Sequence, residues 1–237
     1  MKKTLFVVEG QTELIFVQRF LQEVLSYTLN YEINMRQLKG GRLQLTGRDI
    51  KNGNQDGSPD ISILIVDVQG DDQVRTYMGN YLERNVGKID GIFGLRDKYT
   101  GDRKKKPLDV EKNKQLDIET SARSGLRFSM TIAVEEIEAW FLSQPQIFKK
   151  IHDDLSESKV FEVLKFDPSN VDVETIDHPA GKIDKVLKEV GLRYKKNEDQ
   201  AHKIAGNLMM DDLYVEKSSK ISSLRSFVDN VDFATSA

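Results

Sequence analysis

Four groups of acids stand where a sheet could gather them: Glu9, Asp67, Asp97 and the run Glu135, Glu136 and Glu138. Each closes a stretch that reads as a β-strand. Thr4–Val8, Ile61–Val66, Ile89–Leu95 and Arg127–Val134 are apolar or β-favouring with little alternation, the signature of strands buried on both faces. In an open parallel sheet the carboxyl ends of the strands form the ligand-facing edge. Neighbouring strands are about 4.8 Å apart, so acids ending adjacent strands can converge. Crowded carboxylates repel unless a cation joins them, and all-oxygen ligation selects Mg2+, Mn2+ or Ca2+. The ordinary explanation for any one of these acids is the preference of Asp and Glu for turns and helix N-termini. Glu9 and Asp67 together, each closing a fully apolar strand, favour a site.

The elements that must position these acids follow in order. Gly10 permits a sharp turn after Glu9, Thr12 offers a helix N-cap, and Leu14, Val17, Leu21, Val24 and Leu25 form a helical stripe. Tyr31–Leu38 reads as a strand closed by Gly40-Gly41. Residues 42–60 read as a long polar connection with a short helix near Leu43–Ile50. Helices are expected over Gln73–Asn85, Leu108–Ala122 and from Ala139 to near Pro145. Beyond Ile147 only helical stripes appear: Ile147–Leu164, then three more around Ile183–Val190, Ala201–Leu208 and Ile221–Val228, with a loop over Asp167–Pro179. The expected fold is an α/β three-layer arrangement with a mostly parallel central sheet. Its α/β core spans residues 1–146, and a helical C-terminal extension, 147–237, packs on that core.

Composition narrows the chemistry. The 237 residues carry 35 Lys and Arg against 38 Asp and Glu, a formal net charge of −3, so no global basic character announces nucleic-acid binding. The absence of cysteine excludes disulfides, thiolate metal sites and thiol catalysis. His152, His178 and His202 are scattered, which argues against a histidine zinc site. The apolar run after Lys2-Lys3 is too short for a signal peptide, and no stretch approaches the roughly 20 apolar residues of a membrane span. A cytoplasmic protein without membrane attachment is the expectation.

The turn Val8-Glu9-Gly10-Gln11-Thr12-Glu13 resembles the first motif of Toprim domains, the metal-binding domain of topoisomerases, primases and nucleases of the overcoming-lysogenization-defect type. In that family a Glu follows the first strand and an Asp-x-Asp pair follows the third. Asp67 matches the first Asp, whereas Gln69 stands at the second, where Asp71 or Asp72 could substitute. Over most of its length the chain is similar to a Toprim-like family of unknown function, stand-alone bacterial proteins often encoded beside ABC-type ATPases. Three segments carry that likeness: Gly94-Leu95-Arg96-Asp97, Glu135–Leu142 and His178-Pro179-Ala180-Gly181-Lys182.

The resemblance implies a Toprim or Rossmann-like fold and metal-assisted phosphoryl chemistry, that of a divalent-metal-dependent nuclease or related phosphotransfer protein. Glu9, Asp67 and Asp97 would hold Mg2+ or Mn2+, with Asp71, Glu136 and Glu138 as further ligands. Glu9, Glu13 and Asp67 would carry catalysis, Glu13 as general base or as a support to the ligands. Lys104 and Lys105, in the basic run 103–106, and Lys182 and Lys196, in the locally basic C-terminal part, would contact nucleic acid. Such runs are more often solvated faces. Trp140 and Phe141 read as core rather than as a base-stacking platform. The competing reading is a non-catalytic module whose acidic edge holds a structural cation or docks a partner ATPase, a reading that the Gln69 substitution favours.

Overall fold

A computed structural model describes residues 1–28, 30–51, 58–70, 72–99, 107–196 and 198–236. Its centre is a six-stranded sheet in the order β3-β2-β4-β1-β5-β6: β1 Lys2–Val8, β2 Tyr31–Lys39, β3 Arg42–Lys51, β4 Ile61–Asp67, β5 Gly91–Asp97 and β6 Arg127–Ala133. All neighbours are parallel except β2 and β3. The expected neighbourhood of the first, 61–66 and 89–95 segments is present, with β1 between β4 and β5. β1 and β4 are central because their side chains are apolar on both faces, so burial is satisfied only with layers above and below.

Those layers are helical. On one face, α1 (Gln11–Val24) and the last helix, α10 (Ser222–Thr235), cover Phe6, Ile63, Ile65 and Phe93. On the other, α2 (Gln73–Asn85) and α3 (Val110–Ser124) cover Val7, Val66, Ile92 and Met130. Gly94 lets α2 approach β5, since a Cβ there would lie 2.6 Å from Met78 Sδ. Between α3 and α10 the chain passes through β6 and then α4 (Glu138–Leu142), α5 (Ile147–Ile151), α6 (Glu157–Leu164), α7 (Pro179–Lys188), α8 (Glu198–Ala205) and α9 (Met210–Asp212), which runs into a π turn at Leu213–Lys217.

Three expectations are corrected here. Residues 42–51 are not a connection with a short helix but the edge strand β3. Gly40 and Gly41 both have positive φ (55° and 75°), the backbone of a two-residue hairpin turn that reverses β2 into β3. The helix expected over 147–164 is broken at His152. Ser156 then caps α6, accepting a bond from Lys159 N (3.3 Å). Thr12 is not an N-cap: α1 begins at Gln11 with Gly10 at the cap position and no side-chain cap.

The C-terminal helices share one continuous apolar core with the sheet. Phe227 of α10 lies 6.3 Å from Phe6, 5.2 Å from Phe20 and 5.8 Å from Trp140, ring centre to ring centre. Trp140 and Phe141 are buried core, and the indole N–H donates to Ser223 Oγ at 2.9 Å. Asn230 reaches across to Ser129 and Thr131 of β6. No helix among the described residues is long and apolar enough to cross a membrane.

Candidate metal centre

The parallel strands deliver Glu9, Asp67, Asp97 and the 135–138 turn to one edge, and the order β4-β1-β5-β6 decides which acids meet. Two groups form. Glu9, Glu13 and Asp97 each offer a carboxylate oxygen within 4.8 Å of the others, and so do Asp97, Glu136 and Glu138. Asp97 belongs to both. Gly10 makes the first group compact: it turns the chain so that Glu13, one turn into α1, points back at Glu9, and a Cβ at Gly10 would lie 3.1 Å from Glu13 Oε2. Glu9 Oε2 accepts from Asp97 N at 3.2 Å, which ties the ends of β1 and β5 together.

Asp67 stands apart. It is 1% exposed and belongs to neither group. Its register partner on β2, Gln37, donates from Nε2 to Oδ2 at 2.7 Å, and Gln69 N donates to Oδ1 at 2.8 Å. The geometry thus groups Glu9 with Glu13 and Asp97 and leaves Asp67, expected in that trio from the sequence, outside it. The Asp67 charge still reaches the site by raising the pKa of Glu13.

The second group is closed by residues from far downstream. Lys196 Nζ lies 2.9 Å from Glu138 Oε2, 3.5 Å from Asp97 Oδ2 and 3.5 Å from Glu136 Oε1. Tyr194 donates its hydroxyl proton to Glu138 Oε1 at 2.8 Å. Glu136 Oε2 accepts from Ala180 N (2.9 Å) in the first turn of α7, where a carboxylate complements the helix N-terminus. Asp97 Oδ1 accepts from Ile137 N at 2.8 Å. Among the described residues five non-glycine residues have positive φ, and four of them, Gln69, Glu135, His178 and Lys196, belong to these turns. Left-handed backbone outside glycine is costly and tends to persist where neighbouring structure demands it.

The electrostatics follow from burial. Glu13, 4% exposed, has its pKa raised to about 7. Desolvation is the main cause; Lys196 opposes it, and Glu138 and Asp67 add to it. Asp97 is raised well above the ordinary carboxylate value, by desolvation first and then by Glu13 and Glu138, against Lys196 and the Ile137 N–H bond. For Lys196 burial alone would lower the pKa, but Glu138, Asp97, Glu136 and Glu13 outweigh it and the net shift is upward, so the ammonium stays charged. Burial also raises the Tyr194 phenol well above its usual value, as does Glu138, so it remains a donor. The donor set at this edge is carboxylate oxygen throughout, a fit to a hard divalent cation.

Of the other residues named from the sequence, Asp71, Lys104 and Lys105 lie outside the described residues. Lys182 is half-buried in α7, two residues beyond the Ala180 N that bonds Glu136. Tyr194, Gln37 and the ion pairing of Lys196 were not anticipated. Nothing local to those residues marks them, because their partners are brought by the fold.

A family model described as a domain of unknown function, DUF4276, matches residues 8–214. The match runs from the last residue of β1 to Tyr214 and so encloses Glu9, Glu13, Asp97, Glu136, Glu138 and Lys196. No curated protein matches the chain. With the match covering most of its length, the chain belongs to the DUF4276 family, whose function is unknown.

Proposed function

We propose that the chain is a divalent-metal-dependent protein of phosphodiester chemistry, a nuclease or related phosphotransfer protein related to the Toprim domains. One observation carries the reading: two groups of three carboxylates sharing Asp97, at the carboxyl edge of a parallel sheet. Glu9, Glu13 and Asp97 would hold Mg2+ or Mn2+, and such an ion supplies Lewis-acid polarisation of a phosphodiester and charge stabilisation of the leaving oxygen. Glu13, which titrates near neutrality, is suited to take a proton from an attacking water as well as to ligate. Asp67, held by Gln37 and Gln69, acts on the site through its charge. Lys182 would meet a nucleic-acid phosphate, and Lys104 and Lys105 extend the same proposal, whereas the ammonium of Lys196 is engaged by Asp97, Glu136 and Glu138. The compartment is proposed as cytoplasmic and the partner as an ABC-type ATPase.

The test is cleavage of single- and double-stranded DNA and of RNA with Mn2+ or Mg2+, with and without chelator, alongside Mn2+ binding by calorimetry. Metal-dependent cleavage that is lost in Glu9→Gln is expected. Binding without cleavage of any of these would favour the non-catalytic module that docks an ATPase, and no binding at all would remove the metal from the proposal.

A further inference from the structure

Asp97, Glu136 and Glu138 present a second cation position beside the first, and the chain itself fills it. We infer that Lys196 is a fixed, chain-borne cation that occupies this second position, so that the edge takes one divalent ion, at Glu9, Glu13 and Asp97, rather than a metal pair. The inference rests on the metal reading above and adds its stoichiometry.

Three observations support it. First, the Lys196 ammonium engages every member of the group, at 2.9 Å from Glu138 and 3.5 Å from both Asp97 and Glu136. Mg2+ requires its oxygens at about 2.0–2.1 Å, and an ion so placed would lie against the ammonium with nothing between the two positive charges. Second, the remaining oxygens of the two glutamates are committed: Glu138 Oε1 accepts from Tyr194 and Glu136 Oε2 from Ala180 N. Third, the segment that carries Lys196 is anchored. Tyr194 N donates to Asp184 Oδ1 at 2.9 Å, Arg193 Nε donates to the same oxygen at 3.0 Å, and the Tyr194 hydroxyl is held by Glu138. Lys196 thus begins two residues from a residue fixed at both its backbone and its side chain. Glu138, wholly buried, has no hydrogen bond of good geometry at Oε2, so the Lys196 charge is what compensates that oxygen.

Two-ion sites hold their metals about 3.5–4 Å apart with a bridging ligand. Asp97 is the residue shared between the groups here, so a metal pair and a metal–ammonium pair differ in one countable quantity. Mn2+ titration of the wild-type chain, followed by calorimetry and electron paramagnetic resonance, is expected to give one ion with the spectrum of an isolated Mn2+. Lys196→Met removes the charge and keeps an unbranched chain. It is expected to bind two ions, to show a spin-coupled pair, and to gain more in Tm from Mn2+ than wild type does. Lys196→Arg is expected to keep a single ion. A structural role for Lys196 alone would not raise the number of ions bound. Two ions on wild type would overturn the inference and leave the metal reading standing, as would one ion on both wild type and a folded Lys196→Met. No ion on either protein would remove the metal reading and this inference together. Lys196→Gln, also uncharged, takes the same count where Lys196→Met fails to fold.

Discussion

Asp67 and Asp97 end the two strands that flank β1, one on each side of Glu9, and both are almost wholly buried. Their surroundings differ. On the β4 side the neighbouring strand contributes Gln37, whose amide and the Gln69 N–H satisfy both Asp67 oxygens. On the β5 side the neighbouring strand leads into a turn with three glutamates, and Asp97 meets Glu9, Glu13, Glu136 and Glu138. A buried carboxylate supplied with its own donors has its acceptor capacity met locally, whereas one packed against other carboxylates calls for an added positive charge. Lys196 supplies one such charge, and a divalent ion is the proposed second.

The largest expected effect tests this asymmetry directly. Asp97→Asn keeps an acceptor for Ile137 N but removes the charge common to both groups. Metal-dependent cleavage should fall at least about a thousandfold, equivalent to ~4 kcal/mol of transition-state stabilisation. Asp67→Asn should cost about tenfold or less, since it acts at one remove. Rates measured side by side with Mn2+ check the ranking, and equal losses, or a greater loss at Asp67, would break the comparison.

The second effect is in pH. Glu13 titrates at about 7 in the fold against an ordinary value of 4.5. The folded state therefore favours the protonated acid. The stability this contributes is complete below pH ~4.5 and is lost as pH rises to ~7, an amplitude of about 3 kcal/mol in the metal-free protein. Asp97 pushes in the same direction. Asp184, held below the ordinary carboxylate range by Lys188, Tyr194 N and Arg193 against the opposing effect of burial, has the opposite sign: its stabilisation is present above the ordinary value and lost at more acid pH. The difference in Tm between wild type and Glu13→Gln, from about pH 5 to about pH 8, isolates the glutamate. It should shrink on the acid side, and Mn2+ should reverse its sign, because the ion stabilises wild type more than a variant that lacks a ligand. A difference independent of pH would mean that Glu13 is ionised throughout.

Two smaller effects sharpen the contrast between the sides. Tyr194→Phe leaves a buried Glu138 oxygen without its donor and should cost about 2 kcal/mol in denaturant unfolding. Gln37→Leu takes one of two donors from Asp67 and should cost about 1 kcal/mol with no change in Mn2+ affinity. A change in Mn2+ affinity for Gln37→Leu would put Asp67 back among the ligands.

Much of the edge was legible from local patterns, and the failures have local reasons too. Ile61–Val66 and Thr4–Val8 are apolar without alternation, which only a central strand tolerates, so the acids that follow them had to emerge at a sheet edge. β3 was missed because Arg42–Lys51 is polar and mostly exposed. It is a strand because β2 supplies its hydrogen bonds, and the signal available was Gly40-Gly41 between two runs of strand length. Glu13 read equally well as an acid favoured by a helix N-terminus. Its burial against Asp97 comes from the fold and has no local trace.

By itself the sequence determined the strands other than β3, the helical stripes and the placement of acids at strand ends, because periodicity and apolar runs act over a few residues and need no partner to be read. Three things were decided only in three dimensions. Strand order put Asp97 beside β6 and Asp67 beside β2, and that order depends on global competition for burial. The α7–α8 connection brought Tyr194 and Lys196 onto the acids, a contact between distant parts of the chain that leaves no local trace. And α10, whose stripe alone reads as one more helix beyond the core, is a covering layer of the sheet: its Phe227 packs against Phe6, Phe20 and Trp140.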